Sequence, residues 1–139
     1  MGLVLTMAAP RLSAFLYTPE DRDFRGLEHF IERGARRAVR EPLVPHNRPD
    51  ARPLRIRITQ PSTFTLLRAD TSLARFDLST FRIEGIEENG RPLSSMEPEF
   101  DFNELGTFPP FSIHLVAAQE DRRIWRIDRL GAIRVEREE

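Results

Sequence analysis

The hydrophobic pattern of this chain changes period once, and that change restricts the fold more than any other feature. Between residues 19 and 40 the apolar residues Phe24, Leu27, Ile31, Ala35 and Val39 recur at helical spacing and make one stripe. From residue 54 the period is two: Leu54, Ile56 and Ile58 alternate with Arg55, Arg57 and Thr59, the pattern of a half-buried strand. Between the two regimes, Pro42, Pro45, Pro49 and Pro53 mark residues 42–53 as an extended connector. One long helix followed by strands alone predicts an α+β fold, with the helix packed on a curved antiparallel sheet of five or six strands. At 139 residues, one domain is expected, with an arm at 1–18, the helix at 19–40, the connector at 42–53 and the sheet at 54–139.

The helix carries its own start signal. Thr18 is placed to cap it, Pro19 suits the first helical position, and Glu20 and Asp21 suit the positive end of the dipole. Asp21, three residues after Thr18, gives a short-armed capping box. Gly26 and Gly34 each cost about 1 kcal/mol relative to alanine, so tertiary packing must hold this helix.

Strand signals follow in order. Phe64 and Leu66 alternate with threonines, and Phe81 and Ile83 with Arg82 and Glu84. Asn89-Gly90 predicts a tight hairpin, with Pro92 limiting the returning strand to a stub. Phe111, Ile113, Leu115 and Ala117 alternate ahead of an acidic turn, after which Trp125 and Ile127 resume. Trp125 is expected on the buried face beside Leu115. Ile133 and Val135 keep the same parity past Gly131, which reads as a long strand kinked at the glycine.

Composition removes several chemistries. The chain has no cysteine, and all 21 of its basic residues are arginine. Disulfides, thiolate metal sites, Schiff bases and a phosphate-loop lysine are therefore excluded. The glycines lack dinucleotide-binding spacing, no Gly-x-Ser-x-Gly elbow occurs, and His29, His46 and His114 stand in three different elements. No cofactor and no metal site is expected. The apolar run at 3–9 is too short to span a bilayer and lacks the basic flank of a signal segment, so no membrane insertion and a cytoplasmic location are expected.

Net charge is −1, but the charges are segregated. Residues 33–57 carry eight arginines against two acids, Glu41 and Asp50. Arg33, Arg36, Arg37 and Arg40 share one helix face by spacing, a candidate surface for an acidic protein partner and, as a lesser alternative, for nucleic acid. Residues 97–111 set Phe100, Phe102, Phe108 and Phe111 among four acids. In an extended segment Phe100 and Phe102 share a face, which makes them candidate partner anchors as well as candidate core. On the last hairpin, pairing Leu115 with Trp125 sets His114 opposite Arg126 and Ser112 opposite Asp128, a polar cluster capable of acid–base work.

The closing run Phe-Ser-Ile-His-Leu-Val, an acidic turn, then Arg-Ile-Trp-Arg-Ile-Asp-Arg-Leu resembles the last two strands of the nuclear transport factor-like cone folds, over roughly residues 111–130. The capped helix at 19–40 resembles their first helix, while the two further helices usual in such cones have no counterpart. Members of that superfamily include isomerases, dehydratases, ligand binders and non-catalytic dimerisation modules; the resemblance implies, for an enzyme or ligand binder, His114 as general base with Asp128 and Arg126 as orienting and anion-holding groups. The residues themselves favour a non-enzymatic interaction module, such as a small subunit of a homo- or hetero-oligomeric assembly.

Overall fold

The computed structural model describes residues 18–40 and 54–137, and the expected arm at 1–18 and connector at 42–53 lie outside them apart from Thr18. Helix α1 spans Pro19–Arg40. Its start is the anticipated reciprocal cap: Asp21 N–H donates to Thr18 Oγ1 and Thr18 N–H to Asp21 Oδ2, each at 3.2 Å.

Among the described residues nine strands follow: β1 (Leu54–Thr59), β2 (Thr63–Arg68), β3 (Thr71–Asp77), β4 (Arg82–Glu88), β5 (Arg91–Pro92), β6 (Glu99–Asp101), β7 (Phe111–Val116), β8 (Arg122–Ile127) and β9 (Ile133–Arg137). The fold is α+β, with the strands divided between two antiparallel sheets instead of forming one. The first has the order β3-β2-β1-β6 and the second β5-β4-β7-β8-β9. The loop between β3 and β4 carries the chain from one sheet to the other.

The sheets meet through aromatic rings. Phe100 of β6 stacks on Phe111 of β7 at 4.1 Å between centroids, and Phe102 meets Phe108 edge-on at 5.3 Å. The helix reaches both sheets: Phe24 packs edge-on against Trp125 of β8, and Phe30 faces Phe76 of β3. One core cluster includes α1, β1, β2 and β6 with β4, β7 and β8.

The buried helix face differs from the anticipated stripe. It comprises Asp23, Leu27, Phe30, Ile31, Gly34 and Ala38, whereas Phe24 and Ala35 pack at its margin and Val39 is 51% exposed. Gly34 supplies the physical reason. A Cβ there would stand 3.0 Å from the Phe102 ring and 3.3 Å from Leu66, so the helix turns its glycine inward to approach the first sheet. The conformational cost of this glycine is offset by that close contact.

Two hairpins bear on the anticipated pattern. Asn89 (φ 54°) and Gly90 (φ 74°) form the tight turn between β4 and the two-residue β5, as Asn-Gly and Pro92 require. Past Ile127, however, the chain makes a true hairpin, with Ile127 paired to Ile133, and not a kinked strand. Asp128 builds its turn by accepting the N–H groups of Leu130 and Ala132 at 2.9 Å each.

On the outer face of the first sheet, Arg55 Nε donates to Glu99 Oε2 at 2.6 Å and Arg57 reaches the same oxygen at 3.3 Å. The hydrogen bond from Arg55, then the charges of both arginines, hold the Glu99 carboxyl below the usual carboxylate range. A carboxyl depressed in the folded state stabilises it above the unfolded value and loses that contribution as pH falls through the folded one. The stability difference between wild type and Glu99→Gln should therefore be largest near pH 7 and shrink as pH falls below the usual glutamate value into the acid range. Urea midpoints across that range measure it; a difference constant with pH would detach Glu99 from the acid response.

Candidate functional site

The helix presents its arginines as the spacing predicts. Arg33, Arg36 and Arg40 are exposed and Arg37 is half-buried. Arg36 pairs with Glu32 one turn earlier at 2.6 Å, an i,i+4 pair of small energetic value. Among the described residues Arg33 and Arg40 have no ion-pair partner. The row does not continue smoothly into β1, where Arg55 is buried and both Arg55 and Arg57 are engaged by Glu99. Arg48 and Arg52 lie outside the described residues.

Phe100 and Phe102 are not partner anchors. Each is 2% exposed, and their stacking on Phe111 and Phe108 makes them core. They do share a face, because Glu99–Asp101 is a strand paired to β1 with Phe100 opposite Ile56. Pro98 stands immediately before that strand, which has three residues and lies at a sheet edge.

The last hairpin is slipped by two residues from the expected pairing. Ile113 opposes Trp125 and Leu115 opposes Arg123, so His114 faces Ile124 and Ser112 faces Arg126. Trp125 is buried as anticipated. The slip disperses the proposed acid–base group: Asp128 is occupied in its turn, and Arg126 Nε pairs with Glu136 at 2.9 Å while its Nη1 donates to Ser112 Oγ at 3.5 Å. The Glu136 hydrogen bond and charge raise the Arg126 pKa. The acid beside His114 is Glu87 of β4, its Oε1 2.9 Å from the buried Nε2. Sequence reading missed this pair, since only the β4–β7 register, with its bulge between Ile83 and Gly85, sets Glu87 near β7.

No compact constellation results. An open depression of about 450 Å³ brings Ser112, Arg126, Asp128 and Arg134 towards Asn89 and Gly90, without His114. No group of three or more His, Cys, Asp or Glu residues able to hold a metal occurs among the described residues, and no described helix is long and apolar enough to cross a membrane. No protein-family model, curated protein or solved structure matches this chain.

Proposed function

We propose that this chain is a non-enzymatic interaction module that contacts an acidic partner protein through the C-terminal half of α1, as a small subunit of an assembly. The exposed row Arg33, Arg36 and Arg40 on a helix whose opposite face is fixed in the core carries this reading. A rigid helix presents guanidinium forks suited to carboxylates, and charge complementarity steers encounter. The cone-fold reading, as ligand binder or enzyme, has less support: phenylalanine rings occupy the space between the sheets, and His114, Arg126 and Asp128 each serve a different neighbour.

Changing Arg33, Arg36, Arg37 and Arg40 together to glutamine tests the proposal. Stability should change by no more than about 0.5 kcal/mol at each of the exposed positions Arg33, Arg36 and Arg40. Affinity for a partner recovered from the native source and then purified should fall about tenfold or more, with a weaker salt dependence. Titration calorimetry of wild type and variant measures both. Equal affinity would leave the arginines to solubility alone.

A further inference from the structure

Beside the arginine row, a rigid turn holds a leucine out in solvent. Asn103 builds the turn at residues 103–107: its Oδ1 accepts the N–H groups of Leu105 at 2.9 Å and Thr107 at 3.0 Å, and its Nδ2 donates to Thr107 Oγ1 at 2.6 Å. Gly106 N–H adds a bond to Asn103 O at 3.0 Å. Gly106 has φ +77°, and a Cβ there would lie 2.9 Å from the Ala35 carbonyl oxygen and 3.0 Å from Val39 Cγ2. Only glycine permits both the backbone conformation and this approach to the helix. The turn is thereby seated on the last turns of α1, with Leu105 79% and Val39 51% exposed. Val39 follows Arg36 by three residues, so it borders the arginine row.

We propose that Leu105 and Val39, with Arg36 and Arg40, form a docking surface for a partner segment in which acidic residues flank an aliphatic anchor. The proposal rests on the interaction reading above and specifies the partner's chemistry. Charge complementarity requires acids opposite the arginines. The two aliphatic side chains require an apolar group between those acids, since carboxylates alone would leave them wet. A turn held by its own hydrogen bonds is ordered before binding, which lowers the entropic cost of docking. A nucleic-acid backbone fits this surface less well. It offers nothing to Leu105 and Val39, and no aromatic residue follows Phe30 on the helix to stack a base.

A phage-displayed random-peptide library panned on the full chain tests this, with enriched peptides synthesised and titrated by fluorescence anisotropy. Enriched sequences should combine Asp or Glu with Leu, Ile, Met or Phe. Leu105→Ser should weaken their binding about tenfold and leave the melting temperature unchanged, and Arg36→Gln with Arg40→Gln should weaken it further. Acidic peptides without apolar positions that bind Leu105→Ser as tightly as wild type would overturn this proposal and leave the interaction reading standing. Enrichment of peptides indifferent to the arginine changes would overturn both. Tighter binding of a single-stranded oligonucleotide, unaffected by Leu105→Ser, would also overturn the proposal.

Discussion

Replacing Asp23 by alanine should destabilise the fold by about 3–5 kcal/mol. Asp23 sits on the inner face of α1 and is 2% exposed. Its Oδ1 accepts the N–H and hydroxyl of Ser79, both at 2.8 Å, and its Oδ2 accepts the N–H groups of Thr80 at 2.8 Å and Phe81 at 3.2 Å. The acceptors lie on the helix and the donors on the crossing between β3 and β4. One carboxylate thus ties α1 to the β3–β4 crossing, one of the segments that carry the chain between the two sheets. Alanine would strand three backbone N–H groups in or near the core, each costing about 1–3 kcal/mol if unsatisfied. Asparagine keeps the shape but puts an NH2 where acceptors are needed, so Asp23→Asn should also be strongly destabilising. Urea unfolding at neutral pH distinguishes the outcomes, and a loss under about 1 kcal/mol in both variants would mean that solvent replaces the carboxylate.

Trp125→Ala should cost a similar amount, about 3–5 kcal/mol, by a different mechanism. The indole lies between Ile113 and Val135 in the strand register and is flanked edge-on by Phe24 of the helix and Phe81 at 5.6 Å and 5.4 Å. Truncation opens a cavity where α1 and the second sheet touch. Trp125→Phe retains most of the buried area and should lose markedly less. If alanine barely moved the unfolding midpoint, the inward assignment of alternate residues along β7 and β8 would be wrong. The two sites share Phe81, whose N–H bonds Asp23 and whose ring packs on Trp125. The double variant should therefore depart from additivity.

Neither the Asp23 contact nor the seating of the 103–107 turn on α1 can be read along the chain. In the helix pattern Asp23 is one acid among several in the first turns, and its partners lie more than fifty residues away. Phe100 and Phe102 in a proline-flanked acidic run fit a docking segment as well as a core; burial against Phe111 and Phe108 decided between them. Leu105 carries no local signal, because an isolated leucine among turn residues has no periodicity to place it.

What local sequence determines here are the features whose causes are local. Thr18 and Asp21 cap α1, Asn89-Gly90 makes its turn, Pro92 shortens the returning strand, and alternation sends Ile113, Trp125 and Ile127 inward. Strand β3 has no sequence signature, because its residues Thr71–Asp77 are mostly exposed on both faces at a sheet edge, which leaves no alternation. The pairing of β7 with β8 was two residues off because such a slip keeps every side chain on its face. The turn geometry, with Gln119 and Glu120 at positive φ and Ala117 N–H bonded to Asp121 O at 2.8 Å, selects the register. The division into two sheets and the rotation of α1 towards Gly34 depend on contacts between residues far apart in sequence. Only the assembled core, with Phe102 against the glycine and Phe100 against Phe111, decides those.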